Sequence, residues 1–245
     1  MAYQAVFKRY ELKYMLTREQ KLRVLQEMEP YMALDGYGRT TIRNLYFDTD
    51  SYRLIRRSIE GPAYKEKLRI RSYDRARPES AVFVELKKKY DSVVYKRRIA
   101  MPEREAMDWG CGGAHCREES QISDVGDYFL WFYGSIRPAL FLSYEREAYY
   151  ARNESDFRVT FDDTILCRRE ELSLGSEIYG IPLLPEGMTL MEIKCSGGIP
   201  LWMTRVLSRE RIYKTSFSKY GTAYQKIIYP TLNQTWDRKE EAFHA

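Results

Sequence analysis

Apolar and polar residues alternate through eight stretches of the chain: residues 3–14, 40–48, 64–73, 81–90, 93–101, 137–149, 157–168 and 188–195. Alternation with a period of two sends successive side chains to opposite faces, so each stretch is predicted to be a strand. Residues 17–32, 51–58, 123–133, 202–209 and 218–228 carry helical spacing instead. The first helix is the best marked. Thr17 can cap its N-terminus, Gln20 completes a capping box, and Leu22, Leu25 and Met28 fall on one side. Residues 90–92 leave space for only a tight turn, which predicts antiparallel pairing of the flanking strands. Residues 103–120, with Gly110, Gly112 and Gly113, read as a short helix plus a loop, and residues 175–187 as a long connection.

Sorting each strand by parity places its charges together. Arg9, Glu11 and Lys13 oppose Val6, Tyr10 and Leu12; Lys67, Arg69 and Arg71 oppose Leu68 and Ile70. Glu85, Lys87 and Lys89 oppose Val82, Val84 and Leu86; Lys96 shares a face with Arg98, and Tyr144 with Arg146. Arg158, Thr160 and Asp162 oppose Phe157, Val159 and Phe161; Glu192 and Lys194 oppose Met191 and Ile193. Across these strands the charged faces hold twelve basic residues against four acids. An ordinary sheet with one solvated face accounts for any single strand of this kind. A sheet closed into a barrel accounts for all of them, with helices covering the apolar face outside and the charges lining a wet or anion-filled lumen. Pattern alone leaves both readings open. Arginine's planar fork suits oxyanions in either case.

Composition narrows the class. The 245 residues are 44% apolar, which argues against disorder, and they allow one large domain or two small ones. We expect one domain over residues 1–235 and a charged tail over residues 236–245. The net charge of +5 is too small to indicate a partner by itself. No apolar run approaches the roughly 20 residues needed to cross a bilayer. The N-terminus lacks the apolar region of a signal peptide, and four scattered cysteines do not form a disulfide scaffold, so a cytoplasmic chain is expected. Cys111, His115 and Cys116 are poorly spaced for zinc, the other histidine being His244. Glycine-rich phosphate loops are missing, so any nucleotide would be held by side chains. The tyrosines are expected to pack on the barrel's outer face and rim.

Ten short stretches in order carry a resemblance. They are Arg9-Tyr-Glu-Leu-Lys-Tyr14, Asn44-Leu-Tyr-Phe-Asp-Thr49, Lys67-Leu-Arg-Ile-Arg-Ser-Tyr73, Val84-Glu-Leu-Lys87 and Lys96-Arg-Arg98. Arg137-Pro138, Tyr144-Glu-Arg146, Arg158-Val-Thr-Phe-Asp162, Met191-Glu-Ile-Lys194 and Lys214-Thr-Ser-Phe-Ser-Lys-Tyr220 follow. No one stretch is specific, but together they resemble the polyphosphate polymerase domain of the vacuolar transporter chaperone (VTC) family, within the triphosphate tunnel metalloenzymes. The resemblance implies an α+β fold: a closed antiparallel eight-stranded β-barrel with a charged lumen and helices outside.

It also implies a metal-dependent phosphotransferase that moves the γ-phosphate of ATP onto a growing polyphosphate chain. Other branches of the superfamily hydrolyse triphosphates or cyclise ATP. Carried over by position, Lys13, Arg69, Arg71, Lys87, Lys96, Arg146 and Arg158 match the phosphate-binding residues, Ser218 and Lys219 a Ser-Lys pair, and Glu192 the principal carboxylate for Mn²⁺ or Mg²⁺. Parity adds Lys194 to the catalytic set, Glu11, Glu85 and Asp162 to the metal set, and Lys67, Arg9, Arg98 and Tyr144 to the substrate contacts. ATP with polyphosphate or another triphosphate is the expected substrate pair. Nucleic acid is not expected, because the basic residues occupy the face assigned to the lumen. Yeast-type relatives carry an N-terminal regulatory domain and membrane helices that this sequence lacks, so product export would fall to a separate membrane protein. The Glu-x-Glu-x-Lys signature of the related CYTH proteins is replaced here by Arg9-x-Glu11-x-Lys13, a basic shift that favours the VTC branch. A triphosphatase on the same scaffold and a non-catalytic polyphosphate or inositol phosphate receptor are the competing expectations.

Overall fold

A computed structural model describes residues 10–91, 93–111, 121–153 and 156–232, with the backbone alone at 93–94 and 121–123. Among these residues ten strands and six helices follow one another. They are β1 (Tyr10–Leu16), α1 (Arg18–Met28), β2 (Met32–Asp48), α2 (Arg53–Glu60), β3 (Tyr64–Tyr73), β4 (Ala81–Tyr90), β5 (Val93–Pro102), α3 (Glu103–Gly110) and α4 (Gln121–Tyr133). Next come β6 (Arg137–Ala151), β7 (Arg158–Arg168), β8 (Ile181–Pro182), β9 (Thr189–Cys195), α5 (Leu201–Arg209), β10 (Lys214–Thr215) and α6 (Lys219–Ala223), which runs into a π-helical turn over Tyr224–Ile228. No helix among the described residues is long and apolar enough to cross a membrane.

The strand order is β10-β1-β9-β7-β6-β2-β3-β4-β5, with β8 beside β7. This corrects the expected closed eight-stranded barrel: among the described residues there are ten strands, and their order is open, ending at β10 and β5. Each of the eight alternating stretches contains a strand among the described residues, with residues 3–9 of the first lying outside them. The extra strands, β8 and β10, have two residues each, too few for alternation to signal them. Closure depends on strand tilt and hydrogen-bond stagger, which parity does not encode. β2 also begins at Met32 rather than residue 40. Gly36 and Gly38 sit within the strand, Gly38 with a φ of 62°.

The chain divides into two compact units. The first comprises the chain up to Thr41, Tyr144–Ile165 and Leu184–Phe217; the second comprises Ile42–Ser143, Leu166–Leu183 and the chain from Ser218. In the first, the apolar parity of β1, β7 and β9 (Tyr14, Val159, Phe161, Met191, Ile193) packs with Val24 and Met28 of α1 and Met203 and Val206 of α5. Thr17 makes the expected capping box with Gln20. Lys21 joins α1 to β6 and β7 by ion pairs to Glu147 (2.8 Å) and Asp163 (2.7 Å). In the second, Leu68, Ile70, Val84, Leu86 and Ile99 pack with Leu54 of α2, Trp109 of α3 and Phe129 of α4. Gly126 makes that contact possible, since a Cβ there would lie 2.4 Å from the Trp109 ring. In each unit the helices cover the apolar parity, as the alternation requires.

Candidate functional site

The charged parity of the second unit forms a ladder of cations. Lys67 of β3 stands opposite Lys87 of β4, and Lys87 opposite Lys96 of β5. Like charges directly opposed across strands are destabilising unless something compensates them. One step along the strands, Tyr46, Arg69, Glu85 and Arg98 form the next row. Glu85, 2% exposed, is the shared counter-ion. Arg69 Nε donates to it at 2.7 Å, Lys96 lies 2.8 Å away, and Arg71 and Arg98 follow at 3.8 and 3.7 Å. Burial by itself would raise this carboxyl, but Arg69, Arg71 and Lys96 outweigh it and hold it far below the usual carboxylate range. Lys67 Nζ donates to Ser218 Oγ at 3.0 Å, and the same hydroxyl accepts from the Gly221 amide at 3.1 Å, capping α6.

The charged parity of the first unit mixes signs more evenly. Lys13 stands opposite Glu192, and Glu192 opposite Thr160; Glu11 stands opposite Lys194, and Lys194 opposite Arg158. Lys13 Nζ lies 3.6 Å from Glu11 and 3.7 Å from Glu192, and it donates to the Phe217 carbonyl at 2.8 Å. Arg146 clasps Asp162 through Nε and Nη2, both at 2.6 Å, and lies 3.5 Å from Glu192. Burial opposes the Arg146 charge, but Asp162 prevails and its proton is held more tightly than usual. Lys194 is 3.7 Å from Glu192, yet burial, helped by Arg146 and Arg158, brings its ammonium down to about 8.

Strand parity and ladder register thus define two charged clusters within a sheet whose helices cover the other face. The VTC domain family matches residues 8–228. The chain belongs to that family. The fold of this VTC domain is shared with a candidate adenylate cyclase from Bacillus halodurans, at 13% identity, 91% coverage of this chain, 97% of that one, and a TM-score of 0.53. A candidate adenylate cyclase from Vibrio parahaemolyticus (11% identity, coverage 90% and 99%, TM-score 0.47) is similar over most of the chain. So is a candidate adenylyl cyclase from Hippeastrum, described as having a dominant triphosphatase activity (17% identity, coverage 86% and 92%, TM-score 0.47). No curated protein matches the chain.

Residue by residue, the VTC domain gathers Lys67, Arg69, Arg71, Glu85, Lys87, Lys96, Arg98, Ser218 and Lys219 in the second unit. Glu11, Lys13, Tyr144, Arg146, Arg158, Asp162, Glu192 and Lys194 belong to the first. Arg9, the tail over residues 236–245, His115, Cys116 and His244 lie outside the described residues. Three residues on β2 were not singled out as site residues. Asn44 Oδ1 accepts from Arg71 Nε at 3.0 Å, and the Tyr46 hydroxyl accepts from Arg69 Nη1 at 3.1 Å. Asp48 accepts from the Tyr220 hydroxyl at 2.9 Å and from the Leu54 and Ile55 amides that open α2. The signal was available: Asn44, Tyr46 and Asp48 alternate with Leu45 and Phe47, so they share the polar parity. Tyr46 is buried on that face, not on an outer one.

A divalent ion finds hard oxygen donors of the right kind in Glu192 and Glu11. Among the described residues no three Asp, Glu, His or Cys side chains gather to hold an ion by themselves. Such an ion would share its coordination with water and substrate oxygens, the usual habit of Mg²⁺ at phosphate sites. All four carboxylates have cationic neighbours: Asp162 has Arg146, Glu85 has four cations, Glu192 has Lys13, Arg146 and Lys194, and Glu11 has Lys13.

Proposed function

We propose that this VTC domain is a phosphotransferase that moves the γ-phosphate of ATP onto a growing phosphate chain. The observation that carries the reading is the row Lys67, Lys87, Lys96, three ammoniums in register beside Arg69 and Arg71. Glu85 meets four of the surrounding cations, and a polyanion is the ligand such a basic row suits.

In this reading Lys67, Arg69, Arg71, Lys87 and Lys96 bind phosphate oxygens, with Ser218 orienting Lys67. Lys13, Arg146, Arg158 and Lys194, cations of the first unit, are a second set suited to phosphate oxygens. Glu85 and Asp162 hold their arginines in place. Glu192 and Glu11 would hold Mn²⁺ or Mg²⁺, which supplies Lewis-acid neutralisation of phosphate charge when bound. A terminal oxygen of the phosphate chain attacks the γ-phosphorus in line, the bond to the β-phosphate oxygen breaks, and ADP leaves. The chain's own side chains hold the two phosphates in place and compensate the developing charge; no protein nucleophile takes part.

Incubation with ATP and Mn²⁺, with and without a short phosphate primer, tests the reading. Phosphate chains resolved by size with matching ADP are expected. Orthophosphate without chains would assign a hydrolase instead, since water can accept the same phosphoryl group. Glu192→Gln should lower turnover by about 10²-fold or more while tripolyphosphate still binds. Tight binding with no turnover by the unsubstituted chain would leave an anion receptor.

A further inference from the structure

The polar face of β3, β4 and β5 changes character along its length. The first row holds Lys67, Lys87 and Lys96, and the second Arg69, Glu85 and Arg98. The third holds Arg71, Phe83 and Ala100, and two residues beyond Arg71 on β3 stands Tyr73. Successive rows are about 7 Å apart. Over three rows the face therefore passes from lysines alone to arginine beside aromatic and small side chains.

The aromatic end is assembled as a stack. The Arg98 guanidinium lies over the Phe83 ring, 3.5 Å from its centroid. Tyr73 meets Phe83 edge-on, with centroids 5.6 Å apart and planes at 82°. Arg98 Nη2 donates to the Tyr73 hydroxyl at 3.3 Å, while Nε stays 3.7 Å from Glu85. One arginine is thus tied both to the counter-ion of the cation cluster and to the aromatic pair. Tyr73 keeps 47% of its surface exposed, so its ring is open to a ligand. Ala100, opposite Phe83 on β5, places no bulk beside it.

We infer that Tyr73, Phe83 and Arg98 form a stacking platform for the base of a nucleoside triphosphate whose phosphates lie on the lysine and arginine rows. The inference rests on the anion-binding reading above and adds to it the nucleoside. A triphosphate ester is charged at one end and flat and apolar at the other, and the face has the same polarity in the same order. Bases stack on aromatic rings and on guanidinium planes alike, and every base offers such a face. The platform therefore separates nucleotides from bare phosphate chains without selecting among bases.

Calorimetric titration of the chain with ATP and, separately, with tripolyphosphate in the same Mg²⁺ buffer tests it. Tyr73→Ala should weaken ATP by about 5- to 100-fold and leave tripolyphosphate unchanged. Tyr73→Phe, which loses the bond from Arg98 but keeps the ring, should retain ATP affinity. Phe83→Leu, which keeps apolar volume without a π face, should repeat the selective loss. Unchanged ATP affinity in Tyr73→Ala, or equal loss of both ligands, would overturn the platform. Failure of the unsubstituted chain to bind tripolyphosphate would instead sink the anion-binding reading beneath it.

Discussion

Glu85 shows how much one buried carboxylate can organise. It is the sole acid in a row with two arginines, and it reaches Lys96 and Arg71 as well. Removing its charge takes a shared counter-ion away from Arg69, Arg71, Lys96 and Arg98. Glu85→Gln should cost about 1–3 kcal/mol of stability, below the usual figure for a broken buried pair because Lys96 and Arg98 are partly solvated. The urea midpoint should fall accordingly. Saturating tripolyphosphate should narrow the gap to the unsubstituted chain, because the anion takes over the role of counter-ion. A gap unaffected by the anion would mean that Glu85 and the ligand do not share these cations.

At the scale of elements, α1 is held at both its start and its flank. The Thr17 capping box satisfies amides that the first turn would otherwise leave unpaired, and Thr17→Ala should cost about 1 kcal/mol in a denaturant titration. Lys21, with its side chain 14% exposed, pins the helix to Glu147 and Asp163. Burial works against its charge, but hydrogen bonds to the two carboxylates outweigh it and raise the ammonium above its ordinary value of 10.5. A lysine with a raised folded pKa contributes its full stability below about 10.5, and that contribution fades as the pH climbs through the folded value. Lys21→Met should therefore destabilise by about 2–3 kcal/mol at pH 8. The difference from the unsubstituted chain should shrink above pH 10.5, as followed by urea unfolding across that range. The capping box is legible in the sequence because it spans four consecutive residues. The Lys21 pairs are not, since they join positions more than a hundred residues apart.

For the whole molecule, an anion that binds the folded chain and not the unfolded one must raise its stability by mass action. Tripolyphosphate at about 100 times its Kd should add about 2.7 kcal/mol, a rise in melting temperature of about 5–10 °C for a chain of this size. Lys67→Ala should reduce the rise at the same ligand concentration, and thermal melts with and without the anion would measure it.

Which side chains share a face was settled locally. Alternation has a period of two residues, so Lys67, Arg69 and Arg71 separate from Leu68 and Ile70 without knowledge of any partner strand. The apolar faces had to be covered, and the helices cover them. Register is another matter, because it is a relation between strands remote in the chain, and a slip of one residue would reverse every pairing. Only the folded ladder sets Lys87 between Lys67 and Lys96, or gives Glu85 two arginines as neighbours. The two-residue strands β8 and β10 and the open strand order belong with register. They arise from where distant segments meet, for which a pattern of alternate residues carries no signal.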